Sequence, residues 1–235
     1  MSYPTFIGKK EGDFLYLIED EAKHAYVRRV KPGYLIQVND LNGNIYLGEV
    51  LEVSKKKLKA KFLKKIDVED LKLQINLNLC VPNQLSKVDD LIPYLTELGV
   101  YKLTPVLCKN SAVKEKDVLK KLEKWQKISI NSIKQCKRLF PLKIDFPKNI
   151  DNIEASSDFN AVFYEREKNQ SIKQYCHLTP SSVSIVIGNE GGFSDDEIKI
   201  LKDKGFKSLS LGKLILRMET AVITSVCQIN FCFNK

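Results

Sequence analysis

Apolar residues recur at two different periods along this chain, and the change of period divides it. Up to about residue 70 the apolar runs are short and closely spaced. Phe14-Leu-Tyr-Leu-Ile is one such run, and Leu35-Ile-Gln-Val ends at Asn39-Asp-Leu-Asn-Gly-Asn, whose Asn42-Gly43 pair is a strong hairpin signal. Ile45-Tyr-Leu-Gly-Glu-Val-Leu-Glu-Val follows, then Leu58-Lys-Ala-Lys-Phe-Leu, which alternates apolar residues with lysine. Glu21–Arg29 reads as one helix among these strands. Close strands with glycine-bearing turns predict a small β-barrel.

After Asp67-Val-Glu-Asp, strands alternate with helices. Leu73-Gln-Ile-Asn-Leu-Asn-Leu-Cys-Val alternates strictly and predicts a strand, as do Tyr101–Leu107, Phe159–Tyr164, Val183–Ile187 and Ser208–Leu211. Leu85–Leu98 predicts a helix that Pro93 should kink or delimit. Val118, Leu119, Leu122, Trp125, Ile128, Ile133 and Cys136 fall at helical spacing, predicting one long amphipathic helix over Lys116–Lys137 whose other face is mostly lysine. Ser194-Asp-Asp-Glu carries a capping box that should open a helix, and Glu219–Phe231 predicts the last one. This order argues for an α/β domain with a mainly parallel sheet, beginning near residue 70.

At 235 residues, with 43% hydrophobic and 29% charged side chains, the chain can bury a real core and is not a disordered polymer. No uncharged apolar run approaches the ~20 residues needed to cross a bilayer. The amino-terminal stretch has its charges after a short apolar patch, unlike a secretory signal. A cytoplasmic protein without a membrane role is expected. The six cysteines form no regular framework and no C-x-x-C pair. They are expected to be reduced, mostly buried small hydrophobes, with no structural metal.

The net charge of +9 is unevenly placed. Residues 71–150 hold 15 basic and 7 acidic side chains, so the middle third carries nearly all the excess. Such a field suits a polyanion, although a solvated lysine surface explains it equally well. Arginine is scarce: Arg28, Arg29, Arg138, Arg166 and Arg217 are the only five. Each is therefore a better candidate for bidentate anion recognition than any given lysine.

Two glycine-bearing segments carry the chemistry. In Ile185-Val-Ile-Gly-Asn-Glu-Gly-Gly-Phe-Ser, a buried strand runs into Gly188, Gly191 and Gly192 before the capped helix. The spacing is neither the dinucleotide fingerprint nor a P-loop, and Ser194 lacks the glycines of a nucleophile elbow. Leu209-Ser-Leu-Gly-Lys-Leu-Ile-Leu-Arg-Met-Glu follows a second strand with Gly212, an apolar triplet and Arg217. Turns after successive strands could share one cleft, and their apolar residues suit an aromatic or sulfonium ligand better than a triphosphate.

Ile187-Gly-x-Glu-Gly-Gly-Phe-Ser-x-x-Glu followed by Leu211-Gly-x-x-Ile-Leu-Arg-x-Glu-Thr-Ala resembles the RsmE family of SPOUT-class methyltransferases, which act on N3 of a uridine in small-subunit (16S) ribosomal RNA. Thr96-Glu-Leu-Gly-Val with Pro105, Trp125-x-Lys-Ile leading to Gln135-x-x-Arg138-x-x-Pro141, Glu165, His24 and Lys31-Pro-Gly match the same pattern. The resemblance implies a PUA-like RNA-binding β-barrel over residues 1–70. It implies a SPOUT α/β domain with a C-terminal trefoil knot over 71–235. It also implies S-adenosylmethionine as cofactor, small-subunit ribosomal RNA as partner and a homodimer.

Gly188, Asn189, Glu190, Gly191, Leu211, Gly212, Leu216 and Met218 are then the expected cofactor-binding positions, with Glu165 bordering them. Methylating uridine N3 requires stabilising the negative charge that develops as its proton leaves. A guanidinium does this without titrating, so Arg217 and Arg138 are the expected catalytic residues. A salt bridge from Arg217 to Glu219 or Glu190 is an equally open role. No side chain stands out as a general base. The chain departs from the family pattern at Asn189 (usually proline), Leu214 (arginine), Met218 (threonine), Lys137 (glycine), Asn110 (arginine) and Tyr94 (lysine). A non-catalytic ribosomal RNA-binding or assembly factor, or a SPOUT methyltransferase with another RNA target, remain the alternatives.

Overall fold

The computed structural model describes residues 3–69 and 71–234, which divide into two compact units. The first comprises Met1–Asp70 with Asn131–Pro141, and the second comprises Leu71–Ile130 with Leu142–Lys235. Segment 131–141 thus packs with a unit from which it is distant in sequence. Asn39, itself buried, holds it there by donating from Nδ2 to the carbonyls of Arg138 (3.0 Å) and Leu139 (3.2 Å).

The first unit contains β1 (Thr5–Ile7), β2 (Lys9–Glu11), β3 (Phe14–Ile18), α1 (Glu19–Val27), β4 (Leu35–Asn39), β5 (Ile45–Val53) and β6 (Lys57–Ile66). Alternation sends Leu15 and Leu17, Ile36 and Val38, and Leu58 and Ala60 into a common core, with Ala22 and Ala25 of α1 against it. The hairpin at Asn39–Asn44 forms as expected. Asp40 Oδ1 accepts from the backbone N–H of Asn42 and Asn44, and Gly43 turns the chain with φ 87°.

The sheet order is β1-β4-β5-β6-β3-β2. Its two edge strands are consecutive in the chain, separated by Gly8 alone. Two residues with a single one between them lie about 7 Å apart in extended chain, so the sheet must curl until its edges meet. At that seam Gly8 has no room for a side chain. A Cβ there would lie 2.4 Å from the Tyr16 carbonyl and 2.6 Å from Leu17 Cδ2. The strands β1 and β2 are too short to be read from periodicity.

The second unit is built on parallel strands: β7 (Gln74–Cys80), β8 (Val100–Leu107), β9 (Lys143–Ile144), β10 (Lys148–Asn149), β11 (Phe159–Phe163), β12 (Ser182–Ile187) and β13 (Lys207–Leu209). Their order is β10-β8-β7-β12-β11-β13, with β9 also paired to β8. Helices α2 (Ser86–Glu97) and α6 (Met218–Phe233) cover one core, whose centre includes the fully buried Trp125. Helix α5 (Asp195–Asp203) covers the other, with Phe193 and Phe206 beneath it. The expected capping box is present, Ser194 accepting from Glu197 N and Glu197 from Ser194 N.

Three expectations need correction. The single helix over Lys116–Lys137 is two, α3 (Glu115–Leu119) and α4 (Leu122–Cys136). Lys121 N–H bonds to the Val118 carbonyl (2.8 Å), a three-residue spacing that tightens the chain and breaks the α-helical ladder between them. The cysteines are not all free. Cys80 is bonded to Cys108 and Cys176 to Cys232, while Cys136 and Cys227 remain as thiols. Cys80 and Cys108 close adjacent parallel strands, which sets their Cα atoms 5.9 Å apart, within bridging range. Pro93 does not delimit α2, which runs through it with Leu91, Ile92 and Leu95 all buried. Among the described residues, no helix is long and apolar enough to cross a membrane.

The seam at Gly8 makes a direct prediction. Gly8→Ala should lower unfolding stability by about 3 kcal/mol, measured by urea denaturation, because the overpacked site is bounded by backbone.

Candidate active site

Strand β11 lies between β12 and β13, and its last residue is in register with both: Phe163 pairs with Ile187 on one side and Leu209 on the other. Three carboxyl ends therefore stop at one level. In an open parallel sheet this is where a ligand crevice forms. The segments that leave them, at Tyr164, Gly188 and Ser210, line a cavity of 580 Å³.

The structure brings nine of the expected residues to this cavity: Gly188, Asn189, Glu190, Leu211, Gly212, Leu216, Met218, Glu165 and Arg217. Gly191 is not part of the lining, and Gly192 is. Gly191 instead packs against Asn110, whose Cβ would be 2.9 Å from a Cβ placed on it. Arg138 is also outside this lining and lies in segment 131–141 of the first unit.

Asn189 organises the first loop. Its Oδ1 accepts from Gly191 N (3.0 Å), while Nδ2 donates to the Val81 carbonyl (3.2 Å), the Asn110 carbonyl (3.3 Å) and Ser111 Oγ (3.4 Å). Asn110 returns the contact, donating from Nδ2 to the carbonyls of Gly191 (3.1 Å) and Gly192 (3.4 Å). The two asparagines that depart from the family pattern thus bond to one another and to the loop. The Cys80–Cys108 bridge immediately precedes Val81 and Lys109, joining the segments that Asn189 grips.

Lys87, in the first turn of α2, was invisible to motif reading because it lies about a hundred residues from its partners. Its ammonium meets Glu190 Oε1 at 2.8 Å and Glu219 Oε1 at 2.9 Å, tying the first loop to the start of α6. Burial pushes the Glu190 carboxyl up, but the Lys87 hydrogen bond and backbone donors outweigh it and hold its pKa below the ordinary value. For Glu219 the Lys87 hydrogen bond is the leading cause of a lowered pKa, and the two carboxylates raise that of Lys87. Both partners considered for Arg217 are therefore committed to lysine. Arg217 is exposed, caps α6 through its backbone, and forms no ion pair among the described residues. Glu165 packs against Gly192, while its neighbour Arg166 pairs with Asp195 at 3.2 Å.

The wall opposite the glycine loop is apolar. Leu211, Leu214, Ile215, Leu216, Met218 and Ala221 contribute to it, and Leu214 and Ile215 are 80% and 83% exposed. The cavity thus joins apolar surface, close backbone and carboxylates, in the size range of a nucleoside-bearing ligand. It suits a cationic sulfonium with an aromatic base. No cluster of three or more His, Cys, Asp or Glu positioned for a metal occurs among the described residues.

Comparison with known proteins places this architecture among RNA-modifying enzymes. A family model for an RNA methyltransferase domain matches residues 69–230, and one for an RNA methyltransferase PUA domain matches residues 17–63. The chain is 34% identical over 221 residues to a ribosomal RNA small subunit methyltransferase E of Aquifex aeolicus, covering 93% of this chain and 94% of that one. The same-named protein of Mesomycoplasma hyopneumoniae is 33% identical, with 94% and 96% covered. A putative methyltransferase of Legionella pneumophila, solved with bound cofactor SAM, superposes with a TM-score of 0.87 at 25% identity, covering 98% of each chain. The fold is that of a PUA-bearing RNA methyltransferase. This chain belongs to the ribosomal RNA small subunit methyltransferase E family.

Two predictions follow from the loop contacts. Asn189→Ala should cost about 2 kcal/mol of stability by denaturant unfolding and weaken cofactor binding, because the carbonyls it serves and the Gly191 N–H lose their partner. In Lys87→Met, carboxyl titration followed by NMR should show Glu190 and Glu219 protonating at higher pH than in the parent. Carboxylates with a depressed folded pKa stabilise the fold above their unfolded pKa and cease to do so as pH falls through the folded one, so the parent should lose stability on acidification through this range and the variant, which lacks the contribution, should lose less.

Proposed function

We propose that this chain methylates N3 of a uridine in small-subunit ribosomal RNA, using S-adenosylmethionine as donor. The observation that carries this reading is the cleft itself, with two glycine loops and an apolar wall meeting at the ends of three parallel strands. Its support from outside is the extended similarity to family members of that name. When bound, S-adenosylmethionine supplies an activated methyl group. The backbone around Gly188, Glu190, Leu211, Gly212, Leu216 and Met218 would hold it. Leu214 and Ile215 would exclude water from its adenine, and the carboxylates of Glu165, Glu190 and Glu219 supply a negative environment for its cationic parts.

The chain's own contribution to the chemistry is alignment and charge stabilisation. Arg217, which lines the cleft and has no carboxylate partner among the described residues, would stabilise the uridine oxygens as N3 loses its proton. Arg138 would be a second such group. A homodimer is part of the proposal, supported by the exposure of Leu214, Ile215 and Phe231, the last at 88%. So are a trefoil knot in the carboxy-terminal part and a cytoplasmic site of action.

The test separates binding from chemistry. Arg217→Ala should retain S-adenosylmethionine affinity in calorimetry and lose about a hundredfold or more of 3-methyluridine formation on small-subunit ribosomal RNA. A parent protein showing no saturable S-adenosylmethionine binding would favour the non-catalytic assembly factor instead.

A further inference from the structure

The first unit contains a second concavity that the methylation chemistry does not use. It measures 510 Å³ and lies where the carboxyl ends of α1 and α4 approach the segment leading into β1. Arg28, Lys134, Lys137 and His24 line it, together with the amides of Asn131 and Gln135, and no carboxylate does. Glu21 of α1 is not among the lining residues. Its Oε1 meets Lys134 Nζ at 2.5 Å and its Oε2 accepts from Ile7 N at 3.0 Å, so it fixes Lys134 in place. Arg28 and Lys137 have no carboxylate partner among the described residues.

Lys137 is the informative member. It closes α4 with φ +62°, its N–H bonded to the Ile133 carbonyl at 2.8 Å. This is the left-handed position that ends many helices and that glycine fills without steric cost. A side chain held there is a strained choice, shared among the described non-glycine residues with Glu19, Arg29 and Leu41. Here the strained residue contributes a cation to a cavity that already holds two. His24 reports the same field: burial, then Lys134 and Arg28, hold its imidazole below the ordinary pKa, against the opposing pull of Glu21.

We propose that this groove binds the phosphodiester backbone of an RNA strand, with Arg28, Lys134 and Lys137 as the phosphate contacts and the His24 imidazole and the amides of Asn131 and Gln135 as further hydrogen-bonding groups. The proposal rests on the RNA-substrate reading above and adds where the strand is anchored. Contacts to phosphate position a nucleic acid without reading its sequence. The groove therefore sets affinity and register, while the choice of nucleotide is left to the cleft.

The experiment uses the full-length protein and a 16S ribosomal RNA transcript, with affinity measured across a salt series. Arg28→Gln and Lys137→Gly should each weaken binding about two- to fivefold. Each should also reduce the slope of log affinity against log salt by about one, and the double variant by about two. S-adenosylmethionine affinity should be unchanged in all three. Lys137→Gly should melt no lower than the parent, since glycine relieves the backbone. Variants that bind the transcript with the parent's affinity and salt slope overturn the groove alone. A Lys137→Gly variant that melts clearly lower overturns it too, by assigning the lysine to folding. A parent that binds S-adenosylmethionine but no ribosomal RNA overturns the underlying reading, and the groove with it.

Discussion

The register of β11 against its two neighbours is the constraint on which the cleft depends. Because Phe163 is level with both Ile187 and Leu209, three chain segments leave the sheet side by side and in the same direction. A shift of one residue in either pairing would exchange the side chains of the two cores, moving Phe159, Ala161, Ile185 and Leu209 out of the one they fill and Val162 and Val186 out of the other. Burial of apolar side chains beneath the sheet thus sets the position of polar backbone at its end. The glycine loops need supply only close approach and turning.

Polar contacts then convert nearby loops into a defined site. Asn189 makes its bonds inward, to Val81, Asn110, Ser111 and Gly191, so its side chain shapes the loop rather than facing a ligand. Proline restricts a loop by fixing φ, whereas asparagine here achieves it by hydrogen bonding to segments that leave β7 and β8. The substitution is accompanied by Asn110, which completes the same network from the other side. Lys87 adds a charged tie between Glu190 and Glu219, the two carboxylates considered as partners for Arg217, which forms no ion pair among the described residues.

The first unit follows a different logic. Its sheet closes at Gly8 through close packing of backbone, and it accepts a strained lysine at the end of α4. Closure creates a rigid support, and the helix ends packed with it carry the cations. Segment 131–141 joins this unit because Asn39 satisfies carbonyls beyond the end of α4. That contact spans about a hundred residues of sequence and supplies half of the basic groove.

Much of this was legible from local pattern. Strict alternation in 73–81 and the apolar runs at 159–164 and 183–187 identified the inner strands, since a strand buried among neighbours must be apolar whatever its partners. The Ser194–Glu197 capping box and the Asn42-Gly43 turn are equally local, their donors and acceptors lying within a few residues. The two glycine segments stood out because few other chemistries require that spacing next to a buried strand. What tertiary structure alone decided are contacts between residues remote in sequence: the edge-to-edge closure at Gly8, the pairing of Cys80 with Cys108, and the bond from Lys87 to two distant carboxylates. Periodicity records which face of an element is buried. It carries no information about which other element covers that face, and hydrogen bonds, ion pairs and steric limits between elements arise only once that choice is made.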